Sequence, residues 1–245
     1  MKNTTYVALS NQTALFRRME MIANNLANMN TVAYKSSSPL FTSYLTRSPN
    51  GENLRRDRIY FVQDFGTMRD FNEGAFIGTQ APLDVAIKGD GFFVVETPEG
   101  PRYTRAGSFK LDANGVVVTS QGWPVMSGNG PITIDPEDIN ITIASDGLVT
   151  TENEEKGRLM IVTFDDMMAL TKTHSGLFMT TQEPILAEFA QVQQGMLEQS
   201  NTNALLELTN MITVQRAYEA TMQMIQTQSE VSQKVIDNFT RRTSS

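Results

Sequence analysis

The glycine-rich turn from Lys88 to Gly91 is the first stretch whose residues could do chemistry, because glycine-rich loops can cradle a phosphate. A phosphate-binding loop opens a helix and has a fuller glycine spacing, whereas this turn lies between two apolar runs. The pattern therefore favours a β-hairpin, with residues 84–87 and 92–96 as its strands. Asp90 is then a turn residue.

Other residues that could serve as acids, bases or metal ligands are isolated. His174 is the only histidine, and nothing near it supplies a recognisable set of catalytic partners or ligands. The stretch from Asp112 to Gly115 has part of a calcium-loop pattern, but it lacks the remaining ligands, and a tight hairpin explains its Asn-Gly pair. We therefore expect no catalytic residue, cofactor or metal, and a protein that is not an enzyme.

The composition argues against several other functions. The chain has 27 acidic and 20 basic residues and a net charge of -7, which disfavours nucleic acid and membrane surfaces as partners. Cysteine is absent, so disulfides, thiolate nucleophiles and cysteine-based zinc sites are excluded. We also expect no Sec signal peptide and no transmembrane helix, because no apolar run has the necessary length.

Apolar or small residues recur every seven positions near both ends of the chain. The first repeat covers about residues 5–29, and the second covers about residues 201–239 without proline or glycine. A sustained seven-residue repeat is typical of α-helices that pair along an apolar seam. We predict that nine residues form this seam: Leu15, Met19, Ile22, Leu26, Leu208, Met211, Tyr218, Met222 and Ile225.

The length of the second repeat indicates what its helix packs against. At 1.5 Å per residue it would extend on the order of 55 Å, longer than a compact domain needs. An amphipathic helix on its own globular core is the alternative, but so long a helix calls for a long partner, and the two termini could pair as a coiled coil. Four polar residues interrupt the seam, so we expect neighbouring subunits to complete the packing: Gln12, Gln215, Ser229 and Ser232.

Three asparagines, Asn24, Asn25 and Asn28, are predicted to lie on the other face of the first helix from the seam. They could bond neighbouring backbone or side chains and set the register of the helices, at a cost in stability. Plain exposure to solvent is the alternative. The residues alone leave both possibilities open.

The middle of the chain has the pattern of a β-domain. Residues 81–185 contain many short apolar and β-branched runs separated by glycine, proline and Asn-Gly turns, which predicts an antiparallel sandwich or barrel-like domain. We therefore predict an α+β fold. Its parts are an N-terminal helix (1–35), a linker and extended segment (36–80), the β-domain (81–185) and a C-terminal helix (186–245).

The predicted linker contains two features of its own. Residues 57–65 have the aromatic and β-branched content of a strand. Arg55, Arg56 and Arg58 form a small basic cluster, which is either a solvated loop or a loop that docks on acidic neighbours in an assembly.

These residues leave three classes of function open. The first is a structural subunit of a helical assembly. The second is a secreted enzyme or lectin-like β-domain with helical oligomerisation tails, which would need convergent polar residues that the sequence does not supply. The third is a cell-surface binding module that uses exposed aromatics such as Tyr103 and Trp123, although we expect burial of both.

Residues 22–31 (Ile-Ala-Asn-Asn-Leu-Ala-Asn-Met-Asn-Thr) resemble a signature near the N-terminus of flagellar rod and hook proteins. Further segments similar to motifs of that family are 82–95, 103–109, 111–119, 207–212 and 215–220. Residues 130–134, 141–147 and 157–159 resemble the proximal-rod members, and the distal-rod members are the runner-up. Residues 32–35 depart from the Gly-Phe pair frequent in the family, and Phe92-Phe93 is more typical of distal-rod members.

The resemblance implies a structural subunit of the bacterial flagellar proximal rod, a tubular drive shaft that transmits torque and is required for motility. The terminal helices would form the inner coiled-coil layer of the tube, with the β-domain outside. The implied partners are other proximal- and distal-rod proteins, further copies of the chain and the flagellar type III export apparatus, without nucleic acid or membrane insertion. The implied location is the periplasmic rod of the basal body, reached without a Sec signal.

Overall fold

The computed structural model describes residues 2–47, 58–135, 137–138, 140–152, 154–173, 176–187 and 189–243. The chain forms two compact units. The helical unit comprises Met1–Ala27, Ser37–Arg69 and Asn203–Ser245, and the β unit comprises Asn28–Ser36 and Asp70–Thr202. Two α-helices and nineteen β-strands lie in the described part of the chain, which confirms the predicted α+β class.

The helical unit contains two long helices and a two-stranded hairpin. Helix α1 is Lys2–Ala27 and helix α2 is Ala204–Thr243. Asn203 begins α2 as an N-cap, since its side-chain oxygen accepts a hydrogen bond from the N–H of Leu206 at 3.2 Å. The helix then continues for 40 residues without a glycine or proline to interrupt it.

Strands β1 (Ser37–Arg47) and β2 (Arg58–Arg69) form the hairpin of this unit, with a β-bulge between Leu40 and Phe41. The serine- and proline-containing segment that we predicted as a linker is therefore a strand over these residues. Pro39 is tolerated because both strands of a two-stranded hairpin are edge strands, so the missing N–H need not belong to a ladder. Arg55, Arg56 and Asp57 lie outside the described residues.

Seventeen shorter strands and one 3₁₀ turn (Met167–Ala169) make up the β unit. The strands are β3 (Phe76–Gly78), β4 (Val85–Lys88), β5 (Phe92–Thr97), β6 (Gly100–Thr104), β7 (Phe109–Leu111), β8 (Val117–Thr119), β9 (Met126–Ser127), β10 (Gly130–Pro131), β11 (Thr142–Ile143), β12 (Leu148–Thr150), β13 (Glu155–Arg158), β14 (Ile161–Thr163), β15 (Thr171–Lys172), β16 (Phe178–Met179), β17 (Ile185–Leu186), β18 (Gln191–Gln194) and β19 (Met196–Glu198).

The largest sheet has the order β15-β16-β6-β5-β14-β17, and its strand pairs are antiparallel. A three-stranded sheet has the order β11-β12-β13, and the pairs β4–β18, β3–β19, β7–β8 and β9–β10 complete the unit. Strands β17 to β19 occupy the start of the segment 186–245 that we assigned to the C-terminal helix. The helix itself begins only at Ala204, after the N-cap.

The predicted hairpin around the glycine turn is wrong. Strand β4 pairs with β18, so that Lys88 lies opposite Gln191, whereas β5 pairs with β6 and β14. Both runs are almost fully buried, and apolar content of this kind does not say which strand is the partner. A Cβ atom on Gly91 would lie 2.7 Å from the Ile161 side chain, so the turn passes close to β14 and needs glycine there.

Strand β5 has apolar residues on both of its faces, and each face packs on a separate cluster. Phe93 and Val95 belong to a large cluster that includes Val85, Ile87 and Val125. Phe92 and Val94 belong to a second cluster rich in aromatic residues. The rings of Phe92 and Phe178 are 5.7 Å apart, and those of Tyr103 and Phe164 are 4.8 Å apart, both in edge-on geometry. The β5 strand is therefore covered on both faces.

The two aromatic residues considered for a surface binding module, Tyr103 and Trp123, are not fully exposed. Tyr103 is buried in the second cluster, and Trp123 packs half-buried against the first. The expected burial of Tyr103 is confirmed. Among the described helices, none is long and apolar enough to cross a membrane.

Gly107→Ala should destabilise the β unit, because a Cβ at this position would lie 1.7 Å from the backbone oxygen of Val85. A backbone atom cannot move aside cheaply, so we expect a loss of about 1–3 kcal/mol in the free energy of unfolding, as for other overpacked sites. Urea denaturation followed by Trp123 fluorescence measures it. Gly128→Ala is the control, since its added methyl meets open space; equal midpoints for the two variants would contradict the packing argument.

Candidate assembly interface

Helices α1 and α2 pack against each other in opposite directions. Near the middle of α1, Gln12 Nε2 donates hydrogen bonds to Tyr218 Oη at 3.0 Å and to Met222 Sδ at 2.7 Å. Near the end of α1, Asn25 Nδ2 donates to Glu207 Oε1 at 3.1 Å. The earlier residue of α1 thus contacts the later part of α2, and the later residue of α1 contacts the beginning of α2. The two helices are therefore antiparallel.

The α1 half of the predicted seam lies along one face of the helix. Ile22 is buried at 5% exposure, and Leu15, Met19 and Leu26 are half-buried. Ala8 is buried and Gln12 half-buried on the same stripe, which alternates steps of four and three residues as a paired helix does. The polar Gln12 therefore occupies a seam position and bonds α2 from it.

The α2 half of the predicted seam is only partly buried, and Met222 contacts α1 through its bond with Gln12. Met211, Tyr218 and Ile225 are half-buried, whereas Leu208 and Met222 are 46% and 45% exposed. Their contact across subunits stays a prediction.

Sequence reasoning missed Val214, which is 3% exposed and the most buried of the α2 side chains that the structure describes. It lies three residues after Met211, and the positions one heptad before and after it are Glu207 and Thr221, which are half-buried. Because those two are polar, the apolar pattern pointed to the neighbouring stripe of Leu208 and Met222 instead. The spacing of three residues between Met211 and Val214, which places both on one side of a helix, could have identified Val214 as a seam residue.

The outer faces of both helices carry large apolar side chains that the single chain leaves exposed. Leu205 is 76% exposed, and Tyr6 is 58% exposed. The other members of this group are Leu9, Phe16, Leu206, Ile212, Met224 and Val231. Tyr44 and Phe65 of the hairpin are 60% and 76% exposed. Large apolar side chains left exposed in such number on two helices favour an interface with other proteins.

Asn25 of α1 is buried at 3% exposure and bonds two other elements of the helical unit, β1 and α2. Its Oδ1 accepts from the N–H of Ser37 at 3.0 Å, and its Nδ2 donates to the carbonyl oxygen of Ser37 at 2.9 Å as well as to Glu207. Of the two readings left open for the asparagines, Asn25 therefore follows the bonded one. Asn28 is half-buried and accepts a hydrogen bond from the Thr31 hydroxyl at 3.1 Å, while Asn24 is exposed.

A fully buried ion-pair cluster lies inside the β unit around Glu198. Glu198 Oε1 is 2.6 Å from Lys35 Nζ, and Oε2 is 2.9 Å from Arg105 Nε; the three side chains are at most 2% exposed. The N–H of Gly74 also donates to Glu198 at 3.0 Å. Sequence reasoning missed this cluster, because its members are separated by 93 and 163 positions from Glu198 and no local pattern joins them.

The cluster satisfies its charges with backbone groups as well. Lys35 Nζ donates to the carbonyl oxygen of Asn72 at 2.6 Å, and Arg105 donates to the carbonyl oxygens of Ile87 at 3.2 Å and Gly91 at 3.3 Å. Burial lowers the pKa of Lys35, although its bond to Glu198 opposes that shift. Burial would raise the pKa of Glu198, but Arg105 and Lys35 together hold it below the ordinary value of 4.5.

The acidic groups that could suggest a metal site are already engaged. Lys156 Nζ lies 2.7 Å from carboxylate oxygens of Asp135, Asp138 and Glu154, which raises the pKa of Lys156. Asp112 Oδ1 accepts from the N–H groups of Val116 and Asn114, each at 2.8 Å, and the Val116 bond lowers the pKa of Asp112. The calcium-like pattern at this position is therefore a turn, and His174 lies outside the described residues.

A groove of about 780 Å³ lies in the β unit. Its lining is mainly apolar and includes Leu159, Ile161, Leu186 and Phe189. The two charged residues among its described lining, Asp146 and Arg158, pair with each other at 2.8 Å. Such a groove offers no convergent acid and base of the kind that an enzyme needs.

Three family descriptions match successive parts of the chain. "Flagella basal body rod protein" matches residues 6–35, "Flagellar hook protein FlgE/F/G D1 domain" matches residues 86–151, and "Flagellar basal body rod FlgEFG protein C-terminal" matches residues 193–238.

Similar proteins cover nearly the whole chain. The chain is 36% identical to the flagellar basal-body rod protein FlgF of Caulobacter vibrioides, over 98% of both chains. It is 32% identical to FlgF of Mesorhizobium japonicum, over 96% of this chain and 97% of that one. It is 35% identical to the rod protein FlgG of Buchnera aphidicola subsp. Schizaphis graminum, over 89% and 92%. The chain belongs to the flagellar basal-body rod protein family. It is a structural subunit of the flagellar rod.

Membership of the rod protein family gives the exposed apolar faces a context. Asn25 lies in the segment matched as basal body rod protein, and Glu207 lies in the matched C-terminal segment. The contact between α1 and α2 thus joins two parts of the chain that rod proteins share. The Glu198 cluster likewise draws Lys35, Arg105 and Glu198 from three separately matched segments.

Glu198→Gln should lower the free energy of unfolding by about 3–5 kcal/mol, because it removes the carboxylate that pairs with buried Lys35 and leaves Arg105 with only the more distant Glu73, at 3.7 Å. Urea denaturation of the purified rod protein, followed by the fluorescence of its single tryptophan in the β unit, measures the loss. The exposed Glu183 provides the control, and Glu183→Gln should leave the midpoint unchanged. A Glu198→Gln protein as stable as the parent would show that the ion pairs contribute nothing.

The same variant should also respond differently to acid. The folded pKa of Glu198 lies below its ordinary value of 4.5, so its contribution to stability is present above that pH and is lost as the pH falls through the folded pKa. The parent should therefore lose stability more steeply below pH 4.5 than Glu198→Gln does. Parallel stability curves in this range would contradict the charged state assigned to Glu198.

Proposed function

We propose that this rod protein serves in the proximal rod and transmits torque passively, with α1 and α2 forming a coiled-coil layer within and between subunits. The exposed apolar surface on both helices is the observation that carries the proposal. A helix pair that is satisfied on one side only, with leucines as exposed as Leu205, needs further apolar partners. In a rod, neighbouring subunits supply them.

The energy available from such contacts is sufficient. Burying one large apolar side chain contributes about 1.5–3 kcal/mol, and each subunit presents several on its helices. Polar residues at the seam, such as Gln12, weaken the pairing of α1 with α2 in a single subunit. Binding of neighbouring subunits then stabilises the helix pair by mass action. Association therefore depends on many modest contacts repeated along the tube.

The β unit in this proposal is a sandwich-like domain carried outside the helical layer. Its support is strand β5, whose two faces pack on two different apolar clusters. The proposed role of this domain is mechanical rather than catalytic, since the charged residues of its groove pair with each other. A secreted enzyme or binding module gains no support from such an arrangement.

The proposed partners are other proximal- and distal-rod proteins, further copies of this chain and the flagellar type III export apparatus. The proposed location is the periplasmic part of the basal body, reached without a Sec signal. A net charge of -7 disfavours nucleic acid as a partner. The proximal subtype is supported by the FlgF relative from Caulobacter vibrioides, which is 36% identical over 98% of the chain.

Replacing Leu26 or Met211 by Asp should abolish incorporation into the rod and swimming, because a carboxylate in the seam must be desolvated without a partner. Swimming in soft agar and recovery of the protein in purified basal bodies measure the effect. The β unit should stay folded, as checked by the emission of Trp123. Gln223→Asp, at an exposed position of α2, is the control, and normal swimming by both seam variants would refute the seam.

Complementation separates the proximal from the distal subtype. The gene for this chain should restore swimming to a strain of Caulobacter vibrioides that lacks its FlgF relative, and not to one that lacks its FlgG protein. The restored fraction of swimming cells is the measurement, with each strain's own gene as the positive control. Rescue confined to the strain without FlgG would assign the chain to the distal rod instead.

A further inference from the structure

Two helices joined by a seven-residue repeat have an alignment problem. Sliding one helix along the other by seven residues, about 10 Å at 1.5 Å per residue, brings another set of repeat residues into contact. Apolar contacts are not directional and discriminate poorly between such alignments. A subunit whose helices line a helical assembly needs one alignment, since each neighbour must meet the same surface.

Asn25 has the contacts of a residue that selects an alignment. Its amide pairs with both the N–H and the carbonyl oxygen of Ser37, at 3.0 and 2.9 Å, much as a neighbouring strand would. The same amide nitrogen donates to Glu207 Oε1 at 3.1 Å. One buried side chain thereby fixes the last turn of α1, the start of β1 and the first turn of α2 to one another.

The slipped alignments leave one N–H of this amide without its acceptor, although its two bonds to Ser37 remain. Moving α2 by seven residues in one direction brings the apolar Val214 to the place of Glu207, and the opposite movement runs past the helix start at Ala204. Either change removes the carboxylate that accepts from Asn25. A buried donor without its acceptor is penalised far more than an apolar mismatch, so the amide discriminates where the apolar repeat does not.

We propose that Asn25 is the residue that specifies the register of α1 against α2 in this rod protein. The proposal deepens the proposed pairing of the terminal helices and rests on it. In paired helices, one buried polar residue among apolar ones selects register at a cost in stability. The position requires a side chain that is a hydrogen-bond donor and an acceptor at once, as asparagine is. Ionised aspartate is an acceptor only, and the side chains of alanine and leucine are neither.

The register can be measured directly because the chain contains no cysteine. Arg18→Cys and Glu230→Cys place unique thiols at exposed positions of α1 and α2 for nitroxide labels. The two labels are offset along the helix pair, so a seven-residue slip changes their separation by about 10 Å. Pulsed electron–electron double resonance on the purified, unassembled chain reports the resulting distances.

The labelled parent should show a single distance. Asn25→Ala should add a second distance about 10 Å away, and Asn25→Asp should do the same because it keeps the size of the side chain but loses the donor. Combining Asn25→Asp with Glu207→Gln should recover part of the first population, since the glutamine amide can donate to the new carboxylate. Asn11→Ala, at an exposed position of α1, is the control and should leave the distance unchanged.

Two results would overturn the inference. A single unchanged distance in both Asn25 variants would show that the apolar seam alone fixes the register. A broad distribution without a second discrete distance would show that Asn25 holds the helices together without selecting their alignment. Because the chain is unassembled in this experiment, failure here is distinct from failure of the proposed rod function, which the swimming of the Leu26 and Met211 variants tests.

Discussion

The carboxylate of Glu198, buried between Lys35 and Arg105, is the constraint on which the β unit depends. A charge inside a protein is tolerated only where a counter-charge and hydrogen bonds replace the water it has lost, and here both cations and the N–H of Gly74 do so. Lys35 and Glu198 are 163 positions apart, so their ion pair joins the beginning of the β unit to its end.

Backbone contacts on either side of the ion pair reinforce this closure. The N–H of Ala33 donates to the carbonyl oxygen of Glu198 at 2.8 Å. The N–H of Asn201 donates to the carbonyl oxygen of Tyr34 at 3.3 Å. Ala33 has a positive φ of 54°, a conformation that costs a non-glycine residue energy and persists only where its surroundings fix it. The short segment Asn28–Ser36 is thus part of the β unit, although it follows α1 in the chain.

The sequence predicted those features that depend on local pattern. The α+β class, the α1 stripe through Leu15, Ile22 and Leu26, and the series of short strands all follow from residue type and spacing. The pairing of strands could not be predicted in this way. Strand β4 pairs with β18 rather than with the nearby β5, and no local feature of the sequence distinguishes the two partners. Val214 was missed for a related reason. Glu207 lies seven residues before it and is polar, so the residues that face α1 do not form a continuous apolar repeat.

Polar clusters such as those of Asn25 and Glu198 are hard to predict but informative once located. Each consists of residues that are ordinary in sequence and become unusual only through burial and through partners far along the chain. Each also costs stability relative to an apolar core, so its presence argues for a role in specifying structure. In this rod protein the buried polar groups lie inside the units, while large apolar side chains such as Leu205 and Phe65 face outward. That distribution suits a subunit that must hold one exact shape by itself and obtain most of its cohesion from its neighbours.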